Sequence, residues 1–374
     1  MIVSADMCSY FQVREFLPAL SSAIPGGVLT ALTVLGALLL VFLWFEAFLG
    51  WVLYQYATKP AGGDQRLSLN SQNIPEEAAL YLEKLEKIGD EVLSGAHETL
   101  EITRGNIKLH GIFIPAKTAS PVREEMSGGC AILVHGWRNT SHTRIVDAQS
   151  YLNEGISVFL PYLRAHLPSE GKRIDVGCKH YDDLFAWIEK INEHFGENAP
   201  RWYVLDGLSM GASTVLMAGG DKRIPGQVIA ILADCGYTSL DEQGKWMTRS
   251  INPLLRIPGL FFARVFFLIK QGYKLHDPTP LSNIARTSLP VFIIHGGADL
   301  FVPTWMSRKL MDACESELRE YWVVEGAQHA LSAFTAGAEY MRRKLAFIEK
   351  ALAGHPQISG QSEGSRRDPA AGTD

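Results

Sequence analysis

Trp202-Tyr-Val-Leu-Asp206 runs into Gly207-Leu208-Ser209-Met210-Gly211, and Ala-Ser-Thr-Val-Leu-Met-Ala218 follows. The first five residues are a short apolar run of strand length, and Met210 onward has the composition of a buried helix. The pentapeptide G-x-S-x-G therefore falls in a strand–turn–helix context, the setting of a nucleophile elbow. So tight a turn leaves no room for side chains at the two glycines and holds the serine in strained φ/ψ. Ser209 is expected to project at the top of a sheet, at a helix N-terminus whose dipole favours developing negative charge. The competing reading is a structural glycine-rich turn, which the flanking strand and helix disfavour.

On either side of the elbow, apolar strand candidates recur: Ala131–His135, Ser157–Pro161, Val228–Asp234, Val291–His295 and Tyr321–Val324. Helical patterns lie between most of them, for example Cys178–Phe195 with Leu184, Trp187, Ile188 and Ile191 on one face. Alternating strands and helices predict an α/β fold, a mostly parallel sheet covered on both faces. In such sheets the ligand crevice lies beyond the carboxyl ends of the strands. Upstream, Leu100–Pro115 alternates through Ile102, Ile107, Leu109 and Ile112, which predicts an antiparallel pair entering the sheet.

A serine hydroxyl needs a base to accept its proton. His329, in Glu325-Gly-Ala-Gln-His329-Ala after the last strand, is the candidate. His135 and His295 each end a strand in a His-Gly pair, a context with another explanation, while His194 and His276 sit in or beside helical surface. The orienting carboxylate is expected between serine and histidine in chain order. Asp299, in the Gly296-Gly297-Ala298-Asp299 loop, fits that position, and Asp234 is its competitor. The aspartate would fix the imidazole tautomer and stabilise the imidazolium. Two backbone N–H groups are needed for an oxyanion. They are assigned to Met210, after the nucleophile, and to Trp137, in His135-Gly136-Trp137-Arg138.

These stretches, with His295-Gly-Gly-Ala-Asp299-Leu-Phe-Val-Pro303 and Gly326-Ala-Gln-His329, resemble the α/β-hydrolase superfamily over roughly Leu100–Leu352. The likeness is nearest to its membrane-anchored or secreted bacterial esterase/peptidase-like branch. The resemblance implies an eight-stranded, mostly parallel sheet, no cofactor, and a covalent acyl-enzyme. It carries over Ser209 as nucleophile, Asp299 as acid and His329 as base. One departure stands out: where such proteins often carry Asp-x-Arg-Gly-His-Gly-x-Ser, this chain reads Tyr162-Leu-Arg164-Ala-His166-Leu-Pro-Ser169-Glu-Gly171.

The ends of the chain carry a different signal. Val28 to Ala57 is apolar, with Glu46 as its only formal charge, and exceeds the ~20 residues that cross a bilayer. Trp51, Tyr54 and Tyr56 stand where interfacial aromatics belong. A signal peptide would have a shorter apolar region, a basic start and a cleavage site. The reading is a single-pass anchor in the cell membrane. Arg14 precedes it and Lys59 and Arg66 follow, a one-charge margin that leaves the side of the catalytic domain undecided. Residues 1–27 form an N-terminal segment, 28–57 the transmembrane helix and 58–95 a linker with an amphipathic helix from Pro75 to Leu93. Residues 96–353 form the catalytic domain, and 354–374, rich in Gly, Ser, Pro and Gln, a disordered tail.

In a chain of 374 residues the net charge of only −5 offers no basic field for nucleic acid. The five cysteines are scattered, with no C-x-x-C spacing, so no zinc or redox motif is expected. Gly236–Ala285 is rich in Phe, Leu and Trp, and has three readings: a lid over a hydrophobic acyl group, packed core, or a stretch touching the bilayer. The expected activity is cleavage of carboxylic esters, less readily amides, on a small-molecule substrate with a hydrophobic part. An acyltransferase using the same residues is the first rival, and a catalytically silent binding protein the second.

Overall fold

In the computed structural model the described residues are 25–60, 76–116, 126–139, 141–276 and 278–355. Most of the N-terminal segment with Cys8, residues 61–75 of the linker, and the C-terminal tail from 356 lie outside them. In chain order the main elements begin with helix α1 (Gly26–Thr58), α2 (Glu76–Leu93), strands β1 (Glu98–Arg104), β2 (Ile107–Ile114) and β3 (Gly129–Val134), and α3 (Ile145–Asn153). Then come β4 (Ser157–Pro161), α4 (Asp183–Phe195), β5 (Trp202–Leu208), α5 (Met210–Gly219) and β6 (Val228–Asp234). An insertion of α6 (Leu240–Met247), α7 (Pro253–Gln271) and α8 (Pro280–Ile284) separates β6 from β7 (Val291–Gly296). The chain closes with α9 (Thr304–Ala313), β8 (Arg319–Val324), α10 (Ser332–Ala336) and α11 (Ala338–Ala353).

Two compact units result. The larger comprises Gln55–Ser250 and Phe267–Asp374. Its eight strands form one sheet in the order β1-β2-β4-β3-β5-β6-β7-β8. β1 and β2 pair antiparallel, as does β2 with β4, and every later pairing is parallel. The period-2 alternation sorts side chains to two faces. Ala131 and Leu133 of β3 join Tyr151 of α3 and Phe347 and Ile348 of α11 on one side. Cys130, Ile132 and Val134 join Trp187 of α4, Val215 of α5 and Leu310 of α9 on the other. Both faces are thus apolar, which is why β3 and β6 read as unbroken hydrophobic runs and are buried throughout. Truncating a residue such as Ile132, with no exposed surface, to alanine is worth ~2–5 kcal/mol.

Helix α4 starts at Asp183, not at Cys178 as the periodicity predicts. Asp175 organises the intervening residues instead. Its carboxylate accepts from the amides of Gly177 (3.0 Å) and His180 (2.7 Å) and from His180 Nδ1 (2.9 Å). A side chain that satisfies local amides in this way offers the backbone an alternative to a helix.

The smaller unit comprises residues up to Tyr54 together with Ile251–Phe266. Helix α1 is long and apolar enough to cross a membrane by length and composition. Every residue from Gly26 to Phe45 is exposed, a stretch about 30 Å long at 1.5 Å per residue. From Glu46 onward one side is covered. Gly50 packs on α7 so closely that a β-carbon there would lie 2.5 Å from Phe262 Cβ and 2.8 Å from the Gly259 carbonyl oxygen.

Candidate active site

The elbow joins β5 to α5 where β5 lies between β3 and β6. Ser209 has φ 56° and ψ −114°, a backbone conformation that costs a non-glycine residue ~1–3 kcal/mol. It persists because its surroundings fix it. The Ser209 amide donates to the Asp234 carbonyl at 2.8 Å. A β-carbon on Gly207 would sit 2.2 Å from the Gly211 carbonyl oxygen, and one on Gly211 2.2 Å from that of Val134. Both glycines are therefore steric requirements of the turn.

The structure brings Ser209, His329 and Asp299 together. Ser209 Oγ lies 2.9 Å from His329 Nε2, and His329 Nδ1 lies 2.6 Å from Asp299 Oδ2. All three are buried, Ser209 being the most exposed of them at 9%. Asp299 is held by its own loop, since Oδ1 accepts the amides of Phe301 and Val302 at 2.9 Å. Burial by itself would raise this carboxyl's pKa. The charge of His329 and hydrogen bonds from His295 and His329 outweigh it and hold the pKa at about 2. An ionised Asp299 is an acceptor only, so His329 Nδ1 donates to it and Nε2 is left to accept from Ser209.

Asp234, the competing carboxylate, sits at the end of β6 and makes other bonds. It accepts from Ser332 Oγ and Tyr340 OH, each at 3.0 Å.

Gly136 stands against Ser209, where a β-carbon would lie 3.5 Å from Ser209 Cβ and 4.0 Å from Oγ. The Trp137 amide follows directly in this loop. Met210 opens α5, so its amide is among the first-turn N–H groups that have no acceptor within the helix. The His-Gly pairs also find their explanation. The Leu163 amide donates to His135 Nε2 at 3.1 Å, so Nδ1 carries the proton and donates to the Gly136 carbonyl at 2.9 Å. Burial, with His166 beside it, pushes the His135 pKa well below the usual histidine value and keeps the ring neutral. His295 Nε2 donates to the Val302 carbonyl at 2.8 Å and lies 3.4 Å from Asp299 Oδ2. Each histidine thus braces a loop of the site. A histidine followed by glycine at a strand end was the available signal for both.

The stretch from Tyr162 to Gly171, which lacks the Asp and glycines of the family pattern, is held by its own bonds. Arg164 makes a two-pronged pair with Asp183, at 2.6 and 2.8 Å. Ser169 Oγ donates to the Tyr162 carbonyl at 2.7 Å, and the Ala165 amide to the Glu170 carbonyl at 3.0 Å.

Below the elbow, sequence reasoning missed a buried ionic cluster. Asp206 of β5 lies 2.5 Å from Lys344 Nζ and 2.9 Å from Arg144 Nη2, and accepts from Tyr151 OH at 2.8 Å. Burial alone would raise the Asp206 pKa, but the two cations outweigh it and lower it. Nothing local in the sequence pairs Lys344, on a C-terminal helix, with a strand residue so far upstream.

Cys235, Asp299 and His329 have potential ligand atoms within 4.8 Å of one another. Both Asp299 oxygens and both His329 nitrogens are already engaged in hydrogen bonds. Burial, with the charges of Asp234 and Asp299, raises the Cys235 thiol well above its ordinary value, away from the thiolate a metal requires. The group fits proton transfer better than metal binding.

No protein-family model matches the chain. An uncharacterized protein of Bacillus subtilis strain 168, YqkD, is 27% identical over 201 residues. That match covers 54% of this chain and 65% of the relative, just under two thirds of its length. Among solved structures, the Pyrococcus furiosus esterase Pf2001 is 23% identical, covering 70% of this chain and 95% of that one, with a TM-score of 0.55. The alpha/beta hydrolase GrgF from Penicillium is 19% identical, covering 69% and 100%, with a TM-score of 0.51. With its mixed eight-stranded sheet and flanking helices, the chain has the α/β-hydrolase fold.

Proposed function

We propose that the protein is a membrane-anchored serine hydrolase that cleaves carboxylic esters through an acyl-enzyme. The observation that carries this reading is the unbroken hydrogen-bond chain from Ser209 Oγ through His329 to Asp299. The esterase and hydrolase names of the structural neighbours agree with it.

Ser209 Oγ attacks the substrate carbonyl carbon while His329 Nε2 takes its proton. Asp299 keeps Nδ1–H pointed away from the serine and stabilises the imidazolium. The carbonyl oxygen, now negative, receives the amides of Met210 and Trp137, each donor worth ~3–4 kcal/mol of transition-state stabilisation. The tetrahedral adduct collapses, the C–O bond to the leaving alcohol breaks, and His329 returns the proton to that alcohol. Water, deprotonated by His329, then attacks the acyl carbon, and Ser209 leaves with its proton restored. Helix α1 serves as the anchor, since its fully exposed apolar half has the length of a bilayer's hydrocarbon core.

Steady-state hydrolysis of a graded series of acyl esters, wild type against Ser209→Ala, tests the reading. Turnover by the wild type and its loss in the variant support it. Equal rates in the two proteins overturn it.

A further inference from the structure

Helix α7 is apolar on more than one side. Gly259 and Ala263 are buried toward α1, and the close approach of Gly50 to Gly259 and Phe262 is the small-residue contact that packs helices in membranes. On the opposite side Leu254, Ile257 and Phe261 recur at helical spacing and are 76%, 63% and 55% exposed. A helix with two apolar faces needs a second apolar surround. What provides it is indicated by the neighbouring element. Phe48 and Trp51 of α1 are exposed in the same unit, and Trp44, Phe48 and Trp51 stack in a row with centroids about 6 Å apart. This aromatic row stands where α1 passes from its bare, bilayer-length half to its covered half, the level of a membrane interface. Helix α7 also carries Arg256, Arg264 and Lys270 and no acidic residue, a composition suited to anionic headgroups.

A second observation concerns the end of α1 that belongs to the larger unit. The last turn of α1 is gripped by the loop beside Ser209. Trp137 Nε1 donates to the Ala57 carbonyl at 2.8 Å, and Arg138 donates to the carbonyls of Tyr56 (2.8 Å) and Lys59 (3.3 Å). The Arg138 guanidinium also lies over the rings of Trp137 and Tyr56, at 4.3 and 5.2 Å. These bonds satisfy helix-end carbonyls that have no partner of their own. They also fix the loop containing Gly136 to the end of α1 within the larger unit.

We propose that α7 lies in the headgroup–acyl boundary of the bilayer beside α1, as a second membrane contact, and that the substrate is an acyl ester resident in that bilayer. The substrate class rests on the serine-hydrolase reading above, whereas the membrane contact does not.

The full-length chain is reconstituted in vesicles of mixed phosphatidylcholine and phosphatidylglycerol. Nitroxide labels are placed through Leu254→Cys, Ile257→Cys and Phe261→Cys, with Cys8→Ser as background; Cys130, Cys178, Cys235 and Cys314 are buried. The expected result is collision with dissolved oxygen favoured over a water-soluble nickel chelate at all three sites. Water-like collision profiles overturn the membrane contact. In parallel, L254E/I257E/F261E is assayed on a long-chain diacylglycerol ester held in the vesicles and on p-nitrophenyl acetate in solution. The expected loss is more than about tenfold on the vesicle-held ester and less than about twofold on the soluble one. Equal losses on both, or none, overturn the substrate class. A wild type inert toward both esters overturns the hydrolase reading itself and leaves the label profiles to decide the membrane contact alone.

Discussion

Asp234 and Asp299 stand at the ends of neighbouring parallel strands, both buried, yet their surroundings drive them in opposite directions. Burial raises the Asp234 carboxyl above its usual range despite the charges of Lys344 and His295 and its bonds to Tyr340 and Ser332. At Asp299 the same burial is outweighed by His329 and His295, and the pKa is held at about 2. Being a buried aspartate at a strand end therefore decides nothing about role. What decides it is whether a histidine faces the carboxylate, and only Asp299 has His329 at 2.6 Å. Asp299 is an orienting group in the proposed mechanism, and Asp234 ties the elbow to α10 and α11.

The largest test of this contrast is Asp299→Asn. It preserves shape but lets the side chain donate, so the wrong imidazole tautomer is favoured. A fall in kcat of about 10⁴-fold is expected, with KM little changed. Asp234→Asn, assayed in parallel, should retain kcat within a few-fold. Comparable losses in both would erase the distinction.

Next in size is Lys344→Met, which leaves Asp206 without its closest cation and removes positive charge from the neighbourhood of Asp234. A buried charge stripped of one partner typically costs ~3–5 kcal/mol. Urea unfolding in detergent should show that loss, and the double variant with Asp206→Asn should recover part of it.

Acidity separates the two aspartates by sign. Asp299 is depressed in the folded state, so its contribution to stability is fully present above the unfolded value of ~3.9 and is lost as pH falls through about 2. Asp234 is raised, so its contribution is present below ~3.9 and is lost as pH rises through its folded value. Relative to wild type, Asp299→Asn should therefore lose stability from pH 3 to pH 7, by roughly 1–2 kcal/mol, and Asp234→Asn should change in the opposite direction. Unfolding midpoints at the two pH values check this. Asp299 remains ionised until pH is near 2, so the orienting carboxylate is retained through the mildly acidic range.

The sequence disclosed those parts of the site that sit at the boundary of an apolar run. Ser209, Asp299 and His329 each follow a strand by a few residues, and the strand ends were legible because both sheet faces are apolar. Strand order was not legible, because no local pattern says which strands become neighbours in the sheet. The choice of Asp299 over Asp234 came from chain position, whereas the physical discriminator is the partner each carboxylate meets. The pairing of Lys344 with Asp206 depends on how α11 lies across the sheet. Trp137 was identified only through its amide. That its indole holds the final turn of α1 at Ala57 required the path of α1, which no local pattern encodes. Of the three readings of the Gly236–Ala285 insertion, the exposure of Leu254, Ile257 and Phe261 speaks against packed core for that part of α7.

The most direct measurement is mass spectrometry of the intact protein after treatment with a fluorophosphonate. The account predicts one covalent adduct, located by peptide mapping at Ser209, absent in Ser209→Ala and formed far more slowly in His329→Ala. An adduct whose yield and rate are the same in all three proteins would contradict it.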